Sequence, residues 1–410
     1  MDETAVRSTV RILPAAVFWV VFSLLVFIVT AGLSAAPEGS SPRRGLWVSS
    51  FSEKNPLNNP KEMQEFFSFA RQGGFSTLFI QVYRGDKAWF DSAIADASPF
   101  RENKVRFGGD ALQALIEQAH QQGIQVHAWV NVLTLSQNEE APVLKKFGRG
   151  ILTKDQYGRD ALRKKSDGEL DKYYERENQL FLEPGDLHVR EHLKGIVSEL
   201  VGKYPHLDGI HFDYIRYPAS PPFIPGSRFN AVGLCYGYGE QNASRFIEKT
   251  GIRLTGGDLK PEESLLWDQW KRDQVTGLVR ELSSEAGSRH PGIEVSCAVI
   301  AAFDRGYGSA CQDWGLWVEK KIVDFVVLMN YSLDPRFILL ACRSAIGVTG
   351  DPSKVAIGLG AYMMTEKPSL LEQQLKQVEA LQPRLVVLFD YGAVSNPVLA
   401  KLFEPSSDGK

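Results

Sequence analysis

Short apolar runs alternate along the chain with longer segments whose apolar residues recur every three to four positions. Runs such as residues 325–329 and 385–389 are apolar throughout, as expected of parallel strands that are buried on both faces. Segments such as the one from Met63 to Ala70 instead carry their apolar residues at helical spacing. This alternation predicts a parallel α/β fold.

Eight strand–helix units follow one another, which predicts a closed (β/α)8 barrel of the TIM type. The predicted strands are Leu46–Val48, Leu78–Val82, Ile124–Asn131, Gly209–Asp213, Ile293–Ile300, Asp324–Asn330, Val355–Leu359 and Leu385–Phe389. Long polar stretches follow strands three and four, the first from about residue 135 to 184, and structureless loops of that length are normally functional. Barrel active sites lie at the C-terminal ends of the strands, so the polar residues that end each strand become the candidates.

The N-terminal region breaks this pattern with an almost unbroken apolar run from Ala15 to Leu33, preceded by Arg7 and Arg11. The run is close to the roughly 20 residues that span a bilayer. Residues 1–36 are therefore predicted to be either a cleaved signal peptide or a membrane anchor of an exported protein in the periplasm, the cell envelope or outside the cell. Membrane association is expected only through this segment. Residues 37–42 are interpreted as a linker, 43–404 as the barrel and 405–410 as a polar tail.

The composition of the chain and the spacing of its cysteines and histidines argue against nucleic-acid binding and against a metal site. The chain is 44% hydrophobic and 23% charged with a formal net charge of −3, and the absence of a basic stripe argues against nucleic-acid binding. Its four cysteines show no CxxC spacing and its seven histidines no HxH or HExxH spacing, so no metal or cofactor is predicted. A disulfide such as Cys297–Cys311 and buried free thiols are both open.

The strand ends combine carboxylates, amides and aromatic rings, a set that suits a sugar because polar groups bind hydroxyls and rings stack on pyranose faces. The predicted polysaccharide-binding residues are Gln81, Arg84, Asp86, His127, Trp129, Asn131, His211, Arg216, Tyr217, Asn330, Tyr331 and Asp390. Asp213 is the sharpest catalytic candidate, since a bare carboxylate is costly inside a barrel but useful at its mouth. The structural alternatives are a salt bridge from Asp213 to Arg216, a hydrogen-bonded core role for His127, and strand-end or turn positions for Asp304 and Asp390 in which backbone amides satisfy the carboxylates.

Several motifs resemble a known family. The segments Arg44–Trp47, His127–Asn131, Leu182–Gly185 and Asp208–Pro218 are similar to glycosyl-hydrolase-like family 10 of bacterial envelope proteins, a resemblance that covers about residues 43–403. It implies a barrel glycosidase acting on cell-wall or extracellular polysaccharide. Met329–Tyr331 also resembles family 18 chitinases. Against their Asp-x-x-Asp-x-Asp-x-Glu signature, Asp208 and Asp213 match, but His211 and Ile215 replace the second Asp and the proton-donating Glu.

Most glycosidases use two carboxyl groups, about 5–5.5 Å apart for retention and roughly 6.5–9.5 Å apart for inversion. Asp213 supplies one, or orients an N-acetyl group of the substrate as the resemblance to chitinases implies. Asp304 is the first choice for the other because strand five neighbours strand four, with Glu183 and Asp390 as further candidates. Two other classes stay open: a non-catalytic glycan-binding barrel, and a metal-dependent polysaccharide deacetylase or esterase.

Overall fold

A computed structural model of the chain describes residues 43–162, 177–219, 233–254 and 259–404. The apolar run from Ala15 to Leu33, the predicted linker and the predicted polar tail lie outside these residues. Within the described ranges, no helix is both long enough and apolar enough to cross a membrane.

The predicted barrel is confirmed. In chain order the strands of the described residues are β1 (Arg44–Val48), β2 (Phe75–Arg84), β3 (Lys87–Ala88), β4 (Gln125–Asn131), β5 (Thr134–Ser136), β6 (Leu180–Phe181), β7 (Gly209–Asp213), β8 (Glu294–Ile300), β9 (Phe325–Asn330), β10 (Val355–Gly360) and β11 (Val386–Phe389). The parallel barrel runs β1-β2-β4-β7-β8-β9-β10-β11, and it closes because β1 pairs with β11 as well as with β2. These eight strands are the eight predicted from the apolar runs.

Helices surround the barrel, and several of them begin at a residue whose side chain caps the first turn. They are α1 (Pro60–Gln72), α2 (Ser98–Phe107), α3 (Ala111–Gln121), α4 (Pro142–Phe147), α5 (Leu187–Lys203), α6 (Glu240–Thr250), α7 (Pro261–Arg289), α8 (Phe303–Ser309), α9 (Trp314–Glu319), α10 (Pro335–Thr349), α11 (Pro368–Glu379), α12 (Tyr391–Val394) and α13 (Pro397–Ala400). The side chain of Asn59 caps α1, and those of Asp110 and Asp186 cap α3 and α5. The apolar faces of these helices pack against the outward side chains of the strands.

Aromatic side chains fill the lower barrel interior and form the floor of the site. The ring of Phe79 lies 5.9 Å from that of Trp47 and 4.7 Å from that of His211. Gly358 makes room for this packing, since a Cβ there would lie 2.6 Å from the Trp47 ring. Because the interior is packed with side chains, a ligand can enter only at the mouth.

The excursions after the third and fourth barrel strands contain more regular structure than the sequence predicts. The first includes the short antiparallel pair β5–β6, with Thr134 opposite Phe181, and the helix α4. A bridge between Asp155 and Tyr236 joins this excursion to the one that follows β7. The two excursions therefore form one connected layer over one side of the barrel mouth.

Candidate active site

Asp213 ends β7 and lies at the barrel mouth beside the end of β4. Its Oδ2 accepts a hydrogen bond of 3.1 Å from Trp129 Nε1, and its Oδ1 accepts one of 2.7 Å from the backbone N–H of Tyr214. Tyr214 adopts a left-handed conformation, with φ of 52°, immediately after the strand. The carboxylate is thus held at two oxygens by two neighbouring strand ends.

The electrostatics of Asp213 favour a proton-binding carboxyl group. Only 6% of the residue is exposed. Burial raises the pKa of Asp213 from 3.8 to about 6, and this outweighs the opposing effects of the Tyr214 N–H, the Arg216 charge and the Trp129 hydrogen bond. A carboxyl group with such a pKa exchanges its proton near neutral pH, which is the property required of a general acid or base.

A cavity of about 240 Å³ opens above the aromatic floor and includes Asp213. It is lined by Trp47, Phe51, Gln81, Arg84, Trp129, Asn131, Gln179, Asp213, Tyr214, Ala298, Met329, Tyr331 and Phe389. Six of these thirteen residues are aromatic, and three amides and one guanidinium supply polar groups. In the described part of the chain, Asp213 is the only carboxylate in this lining.

Two amides are ordered at the cavity by a hydrogen-bond chain. Gln81 Oε1 accepts from the N–H and the hydroxyl of Ser50, at 3.1 and 2.8 Å, so its Nε2 must face the other way. That Nε2 donates to Asn131 Oδ1 at 3.1 Å. The chain therefore turns the Asn131 amide nitrogen, a donor, toward a ligand.

Arg84 is the one cation that lines the cavity in the described residues. Its Nε donates to Ser136 Oγ at 3.2 Å, and its guanidinium carbon lies 4.3 Å from the centre of the exposed Phe51 ring. Burial lowers the pKa of Arg84, while the neighbouring Tyr214 and Asp213 oppose that effect. The guanidinium therefore stays charged beside the candidate carboxylate.

Below the cavity, His211 is a neutral part of the floor. Trp47 Nε1, which can only donate, lies 3.1 Å from His211 Nε2, so that nitrogen accepts and Nδ1 carries the proton toward Ser296 Oγ at 2.9 Å. Burial holds the pKa of His211 well below its ordinary value, and the neighbouring His127 adds to this. His211 thus supports the site from beneath by fixing Trp47.

Other predicted residues lie away from the cavity lining. The ring of His127 is fully buried deeper in the barrel, where burial lowers its pKa to about 4. Asp86 is buried under Tyr83, Val143 and His192, which lie 2.9, 2.7 and 2.9 Å from its oxygens. Asn330 faces α10, where its Nδ2 donates to the Ile338 carbonyl at 3.0 Å.

The remaining predicted residues occupy the surroundings of the mouth. Arg216 forms a two-pronged ion pair with Glu177, at 2.6 and 3.1 Å, and not with Asp213. The Tyr217 hydroxyl donates to Glu183 at 2.6 Å. Asp304 is exposed on α8. Asp390 accepts from Ser49 Oγ at 2.7 Å and from the Ala393 N–H at 3.2 Å, and caps α12.

Several lining residues were not among the predicted ones. Phe389 is the last residue of β11, and Trp47 lies on β1 with its side chain toward the barrel interior. Because successive side chains of a strand point to opposite faces, assigning alternate residues of these two strands to the interior would have found both. Gln179 directly precedes β6 on an excursion, where no periodic signal exists. In the described residues no group of three or more His, Cys, Asp and Glu is arranged to hold a metal.

Solved structures of glycosidases share the barrel fold. The β-amylase catalytic domain from Paenibacillus polymyxa superposes with a TM-score of 0.54 at 11% identity, over 89% of this chain and 95% of that one. A β-galactosidase from Bacillus circulans sp. alkalophilus gives a TM-score of 0.54 at 14% identity, over 86% and 51% of the respective chains. At these identities the likeness shows the fold alone.

The chain belongs to the glycosyl hydrolase-like 10 family, whose model matches residues 42–364. It is 26% identical over 378 residues to glycosyl hydrolase DigH of Escherichia coli (strain K12), covering 82% of this chain and 76% of the relative. It is 21% identical over 330 residues to glycosyl hydrolase YngK of Bacillus subtilis (strain 168), covering 74% and 57%. The family resemblance predicted from the sequence motifs is confirmed.

Proposed function

We propose that this protein is an exported glycosidase that hydrolyses O-glycosidic bonds in a cell-wall or extracellular polysaccharide, with Asp213 as its proton donor. The observation that carries the proposal is a buried carboxyl group with a pKa raised to about 6, at the open end of a barrel and inside an aromatic-walled cavity. The names of the relatives DigH and YngK, both glycosyl hydrolases, support the same reaction class.

In this mechanism Asp213 protonates the leaving oxygen of the scissile bond. Departure of the leaving group needs a proton because the oxocarbenium-like transition state forms only as that oxygen is neutralised. The Trp129 and Tyr214 donors hold the Asp213 carboxyl in one orientation, so its proton is delivered along a fixed direction. The rings of the wall stack on the sugar, and Asn131 and Arg84 bind its polar substituents.

Asp390 is the better placed partner among the described carboxylates. Burial raises the pKa of Tyr331, and the charges of Asp213 and Asp390 add to this effect, so both carboxylates lie near one side chain of the cavity wall. Ser49 fixes Asp390 by a hydrogen bond of 2.7 Å. Neither Asp390 nor Asp304 is in the lining itself, but Asp390 directly follows the lining residue Phe389, whereas Asp304 is exposed on α8. Asp390 would then stabilise the developing positive charge or activate water.

A non-catalytic glycan-binding barrel is the second candidate. One observation favours it: within the described ranges, a single carboxylate lines the cavity, whereas most glycosidases need two. Such a protein would use the aromatic rings and the amides to hold a chain without cleaving it. It predicts that Asp213 contributes to affinity only.

The test is release of reducing ends from peptidoglycan, stripped glycan strands, chitin-type and neutral polysaccharides by the purified full chain. Turnover on one of these substrates that is lost in Asp213→Asn, and kept in the matched surface change Asp273→Asn, supports the glycosidase. Loss in Asp390→Asn but not in Asp304→Asn supports the assigned partner. No turnover on any substrate, with glycan binding retained, supports the binding barrel instead.

A further inference from the structure

A buried lysine on α7 lies against a cysteine of the excursion that follows β7. Lys271 Nζ is 2.8 Å from Cys235 Sγ and 2.9 Å from Asp268 Oδ1. The Lys271 side chain is 4% exposed, so its ammonium group is enclosed at this contact. The nitrogen–sulfur separation is shorter than is usual for an N–H···S hydrogen bond, so the two atoms are in direct contact.

The backbone around Cys235 is held firmly, which keeps the sulfur at this position. The Gln156 side chain donates to the Gly233 carbonyl at 2.8 Å and accepts from the Cys235 N–H at 2.8 Å. Two residues further on, the Gly237 N–H donates to the Lys154 carbonyl at 3.1 Å. Cys235 is only half-buried, so a small oxidant reaches its sulfur from solvent.

The groups around Lys271 keep its side chain in the ammonium form. Burial lowers the pKa of Lys271, but the neighbouring Cys235, Cys311 and Asp268 more than offset this and leave the pKa raised. The sulfur of Cys235 therefore has a charged nitrogen as its direct neighbour, and oxidation of a cysteine by peroxide proceeds through its thiolate. Asp268 is the compensating carboxylate, and its side chain is 47% exposed.

We propose that Cys235 and Lys271 form an oxidation-dependent covalent cross-link in which one oxygen atom bridges Sγ and Nζ. Peroxide first converts the thiolate to a sulfenic acid, forming the S–O bond. A second peroxide oxidises the lysine nitrogen as the N–O bond forms. In total the thiol and the amine lose one hydrogen each, one oxygen is inserted, and two peroxides accept four electrons and leave three waters.

The observed separation favours this bridge over the simpler products. A single oxygen bonded to both atoms would hold sulfur and nitrogen close to their present distance, whereas a direct S–N bond would require them to move much closer together. A Cys235–Cys311 disulfide is the competing product, since Cys311 is buried and also influences the same ammonium group. The amine of Lys271, at 2.8 Å, contacts the Cys235 sulfur directly.

The cross-link would fasten the excursion to α7. The same segment carries the Gly239 N–H, which donates to Glu183 at 3.2 Å. Closing a covalent loop between positions 235 and 271 restricts the unfolded chain, so we expect the oxidised protein to melt several degrees higher than the reduced protein. This inference does not depend on the proposed hydrolysis.

The experiment treats the purified full chain with a small excess of hydrogen peroxide and maps the products by intact and tryptic mass spectrometry. We expect a gain of about 14 Da, because one oxygen is added and two hydrogens are lost, in a linked pair of peptides that contain Cys235 and Lys271. Dithiothreitol should remove the link and restore the lower melting temperature. Cys311→Ala should keep the link, and Cys235→Ser should abolish it.

Lys271→Met should stop the reaction at Cys235 oxidised by about 16 Da without a linked peptide. If this variant does not fold, the peptide map of the wild-type protein still decides the matter. The proposal is overturned if wild-type Cys235 gains only oxygen while trypsin still cleaves after Lys271. It is equally overturned by a Cys235–Cys311 disulfide, seen as a loss of about 2 Da that Cys311→Ala abolishes.

Discussion

Two buried carboxyl groups, Asp213 and Glu183, contact the short segment that follows β7, one at each end of it. Asp213 directly precedes the segment, and Tyr217 near its other end donates to Glu183 at 2.6 Å. Burial raises the pKa of both groups, to about 6 for Asp213 and about 7 for Glu183. By burial and acidity alone, the two would be equally strong candidates for a catalytic carboxyl.

What separates them is what each carboxyl faces. Glu183 is fully buried, and besides Tyr217 it accepts from the N–H groups of Gly185 and Gly239, both at 3.2 Å. It is enclosed by the two excursions that it ties together. Asp213 has two donors and faces the cavity. A perturbed pKa therefore marks a functional carboxyl only where a substrate can reach it.

The largest expected effect comes from Asp213→Asn, which removes the proposed proton donor. We expect kcat/KM to fall by about 10³-fold, within the range for loss of a general acid, while the protein stays at least as stable because a costly buried charge is gone. Kinetics on the hydrolysed polysaccharide and urea unfolding measure the two effects. A variant that keeps more than a tenth of wild-type activity would remove Asp213 from the mechanism.

The pH dependence of the wild-type enzyme should follow the protonated form of Asp213. With a pKa of about 6, the fraction of proton donor drops about tenfold for each pH unit above 6, so kcat/KM should decline along that limb. A profile of kcat/KM from pH 4 to 9 tests this. Activity that declines below pH 6 instead would assign Asp213 the role of an ionised nucleophile or base.

Much of this arrangement is visible in the sequence, for a physical reason. Parallel barrel strands are buried on both faces, so they appear as apolar runs, and all eight were predicted from those runs. Gln81, Trp129, Asn131 and Asp213 were predicted to be at the site because they end such runs, and the structure places all four in one cavity lining.

The positions of the other predicted residues depend on which face of a strand each side chain occupies and on contacts with distant parts of the chain, and neither can be predicted from a residue's place at the end of a strand. Asn330 and Met329 are neighbours on β9, yet only Met329 lines the cavity because successive side chains point to opposite faces. Asp86 lies two residues beyond the end of β2 in a left-handed conformation, and it is buried against His192 of a distant helix. Glu183 owes its enclosure to Gly239, 56 positions away in the chain.

Glu183→Gln should change stability where Asp213→Asn changes catalysis. The glutamine side chain keeps one acceptor oxygen, but its NH2 group faces the Gly239 N–H, so two donors oppose each other. We therefore expect the free energy of unfolding to fall by about 2 kcal/mol. Catalysis by the folded protein should be retained. Because the folded pKa is raised from 4.5 to about 7, ionisation destabilises the wild-type protein as pH rises through that interval. The deficit of about 2 kcal/mol therefore applies at pH 5, and at pH 8 the variant should be the more stable of the two proteins.

Urea unfolding of both proteins at the two pH values measures this deficit. The wild type should lose about 3 kcal/mol over the interval from this group alone, and Glu183→Gln should lack that part of the slope. If instead the variant unfolds like the wild type and loses turnover, Glu183 and not Asp213 is the functional carboxyl.

The smallest expected effect comes from Trp129→Phe, which removes the indole N–H from Asp213 Oδ2 and keeps an aromatic ring in the wall. That hydrogen bond stabilises the ionised carboxylate and lowers the pKa of Asp213, so its loss should move the descending limb of the pH profile upward by less than about one unit. Trp47→Phe is the matched control, because its indole donates to His211 and not to Asp213. Equal displacement of the limb in both variants would mean that wall packing, and not the Trp129 hydrogen bond, sets the acidity of Asp213.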